Sequence, residues 1–66
     1  MEVYIRHENK KISVEEVETV KELLEKLGFR REEVLVIDMQ EQRLLLETEK
    51  LNPDQQIEIR KVISGG

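Results

Sequence analysis

Cysteine is absent from this 66-residue chain, which excludes disulfide staples and thiolate metal sites. Histidine occurs once, at His7 near a hairpin tip, and a lone imidazole without a second ligand does not make a metal centre. Aromatics are limited to Tyr4 and Phe29, so the core must be built from Val, Ile and Leu. No apolar run approaches the roughly 20 residues of a membrane span, and the amino terminus lacks the apolar stretch of a signal peptide; the expected location is the cytoplasm. A basic excess is missing too. Fifteen acidic residues face eleven basic ones, for a net charge of −4, which excludes the electrostatic footprint of a nucleic-acid binder. Glycine is scarce, but two of the three glycines are adjacent, at Gly65 and Gly66.

A chain this short buries only about 60% of the surface its unfolded form exposes. It is expected to form one domain with little room for an enclosed substrate pocket. Charged residues make up 39% of it, with the two signs interspersed. The carboxylate pairs Glu15-Glu16, Glu32-Glu33 and Glu47/Glu49 therefore read as solvated surface, since acid–base pairs need a concave site that drives their pKa values apart. No Gly-rich phosphate loop is present, so ATP is not expected to bind this chain.

What is present is strongly patterned. Met1, Val3 and Ile5 alternate with Glu2, Tyr4 and Arg6, as in a half-buried strand. A polar turn at Glu8-Asn9-Lys10 leads to a second strand carrying Ile12 and Val14. Val20, Leu23, Leu24 and Leu27 then fall on one helical face. Thr19 and Glu22 form a capping-box pair at its start, and Gly28 supplies its stop. The run Val34–Met39 is continuously apolar up to Asp38 and predicts a buried strand. Gln40-Glu41-Gln42 turns the chain into a short strand, "RLLLE", and Asn52-Pro53-Asp54 forms the next turn. In the last strand Ile57 and Ile59 point inward and Glu58 and Arg60 outward; Val62 breaks that parity, so the strand bulges or ends near Lys61.

One helix cannot cover both faces of a sheet. The order strand, strand, helix, strand, strand, strand therefore predicts an α+β roll: a mixed sheet of four to five strands with one main helix packed across one face. The other face is left to solvent or to a partner. Alternation through Leu44, Leu45 and Leu46 exposes at least one leucine there. Leu44 and Leu46, with the outward-facing Arg60 and Val62, are the candidate docking surface, because contiguous apolar patches mark interaction sites.

A roll of this order, with "TVKELLEKLGF" after the first hairpin and "NPDQQIEIRKVISGG" at the end, resembles the ThiS/MoaD-like β-grasp (ubiquitin-like) sulfur carriers, and within them the thiamine-biosynthesis branch. Two positions depart from that branch. Met39-Gln40-Glu41-Gln42 stands where an Asn-Gly turn is common, and Asn52-Pro53-Asp54 stands where Asp-Gly-Asp often precedes the final strand. The resemblance implies a β-grasp domain over residues 1–63 and a flexible tail over 64–66.

It also implies a protein that works as a cosubstrate, not as an enzyme, with no cofactor of its own. A ThiF/MoeB-like adenylyltransferase, related to ubiquitin-activating enzymes, would use ATP on the carboxylate of Gly66. Sulfur would then replace AMP, and the resulting thiocarboxylate would feed a sulfur-accepting enzyme such as a thiazole synthase. The residue chemistry suits this. Without a Cβ, Gly65 lets backbone bend into a narrow channel and Gly66 leaves the reacting carbonyl unhindered; Ser64 is the spacer that enters with them. Molybdopterin synthesis and tRNA thiolation are alternative sulfur sinks. A ubiquitin-like modifier that forms isopeptide bonds through Gly66, or a plain interaction module, are alternative roles.

Overall fold

The computed structural model describes residues 1–62; the expectations for Ile63, Ser64, Gly65 and Gly66 lie outside the described residues. Five strands and one helix follow in the order β1 (Glu2–Ile5), β2 (Lys10–Ser13), α1 (Val20–Leu27), β3 (Val34–Asp38), β4 (Arg43–Leu44) and β5 (Gln56–Lys61). The sheet order is β2-β1-β5-β3-β4. β1 and β5 run parallel at its centre, with Val3 opposite Ile57 and Ile5 opposite Ile59, and every other neighbouring pair is antiparallel. This is a mixed α+β architecture of the β-grasp-like kind.

Helix α1 begins where the sequence placed it. The Thr19 hydroxyl accepts the N–H of Glu22 at 3.2 Å. The Glu22 carboxylate reaches back one residue further than a standard capping box, to the N–H of Glu18 at 3.2 Å. Gly28 ends the helix in the left-handed region at φ 80°, the conformation that a residue without a Cβ adopts freely. The buried face of α1, Val20, Leu23 and Leu24, packs over Val3, Ile5, Val36, Ile57 and Ile59 in one continuous core. The helix covers a single face, and that fixes which strand positions stay open.

Two elements differ from expectation. β3 was expected to be buried throughout, yet Val34 and Val36 are buried while Leu35 is exposed and Ile37 half-buried. Its apolar run hides a period of two because no second layer covers the outer face. "RLLLE" contracts to a two-residue strand, since only Arg43 and Leu44 pair with β3 before the chain leaves the sheet; Leu45 still donates its N–H to Val36 at 2.8 Å. β5 ends at Lys61, and the N–H of Val62 bonds the carbonyl of Glu33 at 2.7 Å.

Asp38 ties the β3–β4 turn to β5. Its Oδ1 accepts the N–H groups of Gln40 and Glu41 at 2.9 and 2.8 Å, and its Oδ2 accepts the Gln55 side-chain amide. The Gln55 amide first, then the Glu41 N–H, hold this buried carboxyl below its ordinary value of 3.8, against the opposing effect of burial. Its stabilisation is therefore complete above pH 3.8 and is lost as the pH falls through the lower folded-state value. Asp38→Asn, which cannot titrate, is expected to flatten the acid limb of stability when urea midpoints are compared from about pH 5 down to about pH 2. An unchanged acid limb in the variant would contradict this assignment.

The same turn holds Gln42 at φ 54°, a left-handed conformation that costs a residue bearing a Cβ about 1 kcal/mol. Gln42→Gly removes that strain and adds about 0.5 kcal/mol of unfolded-chain freedom. The net expectation is a gain of about 0.5 kcal/mol in unfolding free energy. A loss in the urea titration would show that the Gln42 side chain, not the backbone, governs this turn.

Candidate functional site

The open face of the sheet divides in two. On the β2–β1 side it is polar: Lys11 faces Glu2 at 3.8 Å, and the Tyr4 hydroxyl donates to Asn9 at 2.8 Å. On the β3–β4 side it is apolar. Leu35, Ile37 and Met39 follow one another at every second residue, and Leu44 stands opposite Ile37. The five large exposed apolar residues among those described are Leu35, Met39, Leu44, Leu46 and Val62. Val62 keeps the parity of Arg60 just past the end of β5.

The three consecutive leucines alternate in exposure, although only Leu44 belongs to β4. Leu45 is 8% exposed and belongs to the core, whereas Leu44 and Leu46 are 55% and 68% exposed. Both line a groove with Leu35, which the early end of β4 opens beside β3; Val20, Leu24, Val34 and Leu45 also line it. The Arg31–Glu47 ion pair, at 3.2 Å, lies at the same groove. The loop that carries Leu46 is pinned by Glu49, whose carboxylate accepts the N–H of Leu46 at 2.7 Å and pairs with Arg43 at 2.9 Å. Those two contacts, the Leu46 N–H foremost, hold the Glu49 carboxyl below its ordinary range. An exposed leucine held in place this way keeps its position without core packing.

Arg60 lies next to Leu35 on this face. Its strand neighbour Glu58 also faces outward, as the alternation required, but it is only 7% exposed. Arg6 at 3.6 Å and Arg60 each take one oxygen of the Glu58 carboxylate. Burying a carboxylate is tolerable only when it is paired in this way.

The structure thus brings Leu44 and Arg60 to the open face and adds Leu35, Ile37, Met39 and Arg6, while Leu46 lies at the groove with Leu44 and Leu35, and Val62 follows β5 on the parity of Arg60. The added apolar residues were hidden in a run that reads as buried; the signal for them was the single helix, which leaves one face of β3 bare. Ser64, Gly65 and Gly66 lie outside the described residues. His7 packs edge-on against Phe29 with centroids 5.7 Å apart, and no cluster of three metal-ligating side chains occurs among the described residues. No described helix is long and apolar enough to cross a membrane.

The fold and this face define a small β-grasp-like domain with an exposed apolar patch beside the end of its last described strand. Comparison with protein-family models and with curated proteins found no match to this chain.

Proposed function

We propose that this domain is a cytoplasmic sulfur carrier of the ThiS/MoaD-like kind, serving thiazole formation in thiamine biosynthesis. The observation that carries the reading is the place where β5 ends. Lys61 closes a central strand beside the apolar patch, and Ser64-Gly65-Gly66 follows in the sequence. A partner seated on the patch is within reach of that tail. Four residues extend at most about 14 Å beyond Val62, so the partner's active site lies close to the docking face.

In this reading a ThiF/MoeB-like adenylyltransferase joins the Gly66 carboxylate to AMP and releases pyrophosphate. Hydrosulfide released by a sulfur donor then displaces AMP, breaking the acyl–phosphate bond and leaving a thiocarboxylate on Gly66. The sulfur of that group is passed to a sulfur-accepting synthase. Leu44, Leu46, Arg60 and Val62 dock the adenylyltransferase, and Ser64 and Gly65 enter its channel. Ordering the tail costs roughly 1–2 kcal/mol per residue of backbone entropy, which docking of the rigid face offsets.

The test is incubation with the host's adenylyltransferase, ATP and a sulfur donor, followed by intact mass spectrometry. Replacement of one oxygen by sulfur at Gly66 supports the carrier. Diglycine remnants on lysines of other proteins would identify a modifier instead. An unaltered Gly66 with every adenylyltransferase of the host would leave an interaction module that works through the patch alone. Among carriers, the synthase that accepts the sulfur separates the thiazole branch from molybdopterin synthesis and tRNA thiolation.

A further inference from the structure

The Arg6–Glu58–Arg60 cluster is unbalanced. One carboxylate serves two guanidinium groups, which leaves one surplus positive charge on the open face of a chain whose net charge is −4. The other ion pair on this face, Lys11–Glu2, is balanced.

The cluster also has a direction. Glu58 engages Arg60 through Nε. A guanidinium presents five N–H donors in a planar fork. Among the described residues, the Nη1 and Nη2 groups of Arg60 meet no acceptor. The Arg60 side chain is half exposed while that of Glu58 is buried. Glu58 thus holds Arg60 by its inner nitrogen and leaves its two-pronged outer edge turned to solvent beside Leu35. A side chain already fixed loses less rotamer freedom when a partner binds.

We infer that the protein surface seated on this face carries an aspartate or glutamate carboxylate that closes on the outer edge of Arg60, surrounded by apolar side chains. The paired geometry of that edge matches a carboxylate. The apolar surroundings of Leu35, Ile37, Met39 and Leu44 select a protein surface over a free anion. This rests on the sulfur-carrier reading, in which the surface belongs to the adenylyltransferase.

The test uses the full chain, the host's adenylyltransferase and ATP–pyrophosphate exchange, with thermal unfolding of each variant as the control. Arg60→Ala is expected to raise KM for the carrier about 10-fold and Arg60→Glu about 100-fold, with kcat unchanged. Arg60→Lys keeps the charge but loses the fork, and falls between wild type and Arg60→Ala. KM of the wild type should rise with salt, and that dependence should flatten in Arg60→Ala. If Arg60→Ala does not fold, the Arg60→Lys value and the wild-type salt dependence decide. Wild-type KM and salt dependence in both Arg60→Ala and Arg60→Glu would overturn the inference while leaving the sulfur-carrier reading intact. Failure of the wild type to be adenylated removes that reading, and this inference with it.

Discussion

Leu23→Ala is expected to remove a large part of the domain's stability. Leu23 is fully buried on α1, in the same cluster as Val3, Val20, Ile57 and Ile59, all within 1% of complete burial. Truncating such a leucine costs about 2–5 kcal/mol, through lost transfer energy and the cavity left behind. A domain of this length has only about 3–10 kcal/mol of stability in total. No disulfide is available to offset the loss, because the chain has no cysteine. With a urea dependence near 1 kcal/mol per molar, the midpoint should fall by about 2 M or more, or the native signal should vanish. Leu46→Ala is the matched control. Leu46 is 68% exposed, so its truncation should change stability by no more than about 0.5 kcal/mol. Equal midpoint shifts in the two variants would mean that the helix does not seal the core as described.

The second large effect concerns chemistry rather than stability. Appending a single alanine after Gly66 is expected to abolish adenylation while leaving the thermal midpoint unchanged. The added residue moves the carboxylate one residue onward and puts a Cβ next to the reacting carbonyl, where Gly66 offers none. The core that sets stability is closed by Ile57 and Ile59, well before that position. Adenylation of the extended protein at the wild-type rate would remove the acyl end from the proposed mechanism. A lowered midpoint would show that the tail contributes to the folded domain.

Much of the architecture is legible in the residues because local signals and global packing agree. Thr19, Glu22 and Gly28 bracket the helix chemically, and Ile57 and Ile59 mark the inner face of β5 by simple alternation. β3 was harder to read. Val34 through Ile37 are all apolar, so nothing in the run distinguishes an inner from an outer side chain; only the number of helices available to cover the sheet does. The burial of Glu58 was not legible at all. It depends on Arg6 from β1's end meeting Arg60 from β5, a juxtaposition that 53 intervening positions conceal. The short β4 was overestimated because "RLLLE" has strand-like composition while pairing with β3 stops at Leu44.

The parallel union of β1 with β5 also bears on how the molecule is made. Among the described strands β1 is synthesised first, and it waits for β5, the last of them, before it gains its central neighbour. Contacts of such long sequence separation slow folding, because loop-closure entropy comes due before they form. A nascent chain therefore completes its sheet only after β5 has emerged. In the sulfur-carrier reading proposed above, an activating enzyme that recognises the assembled sheet would consequently ignore unfinished chains, and the domain's own topology would act as a proofreading step on synthesis.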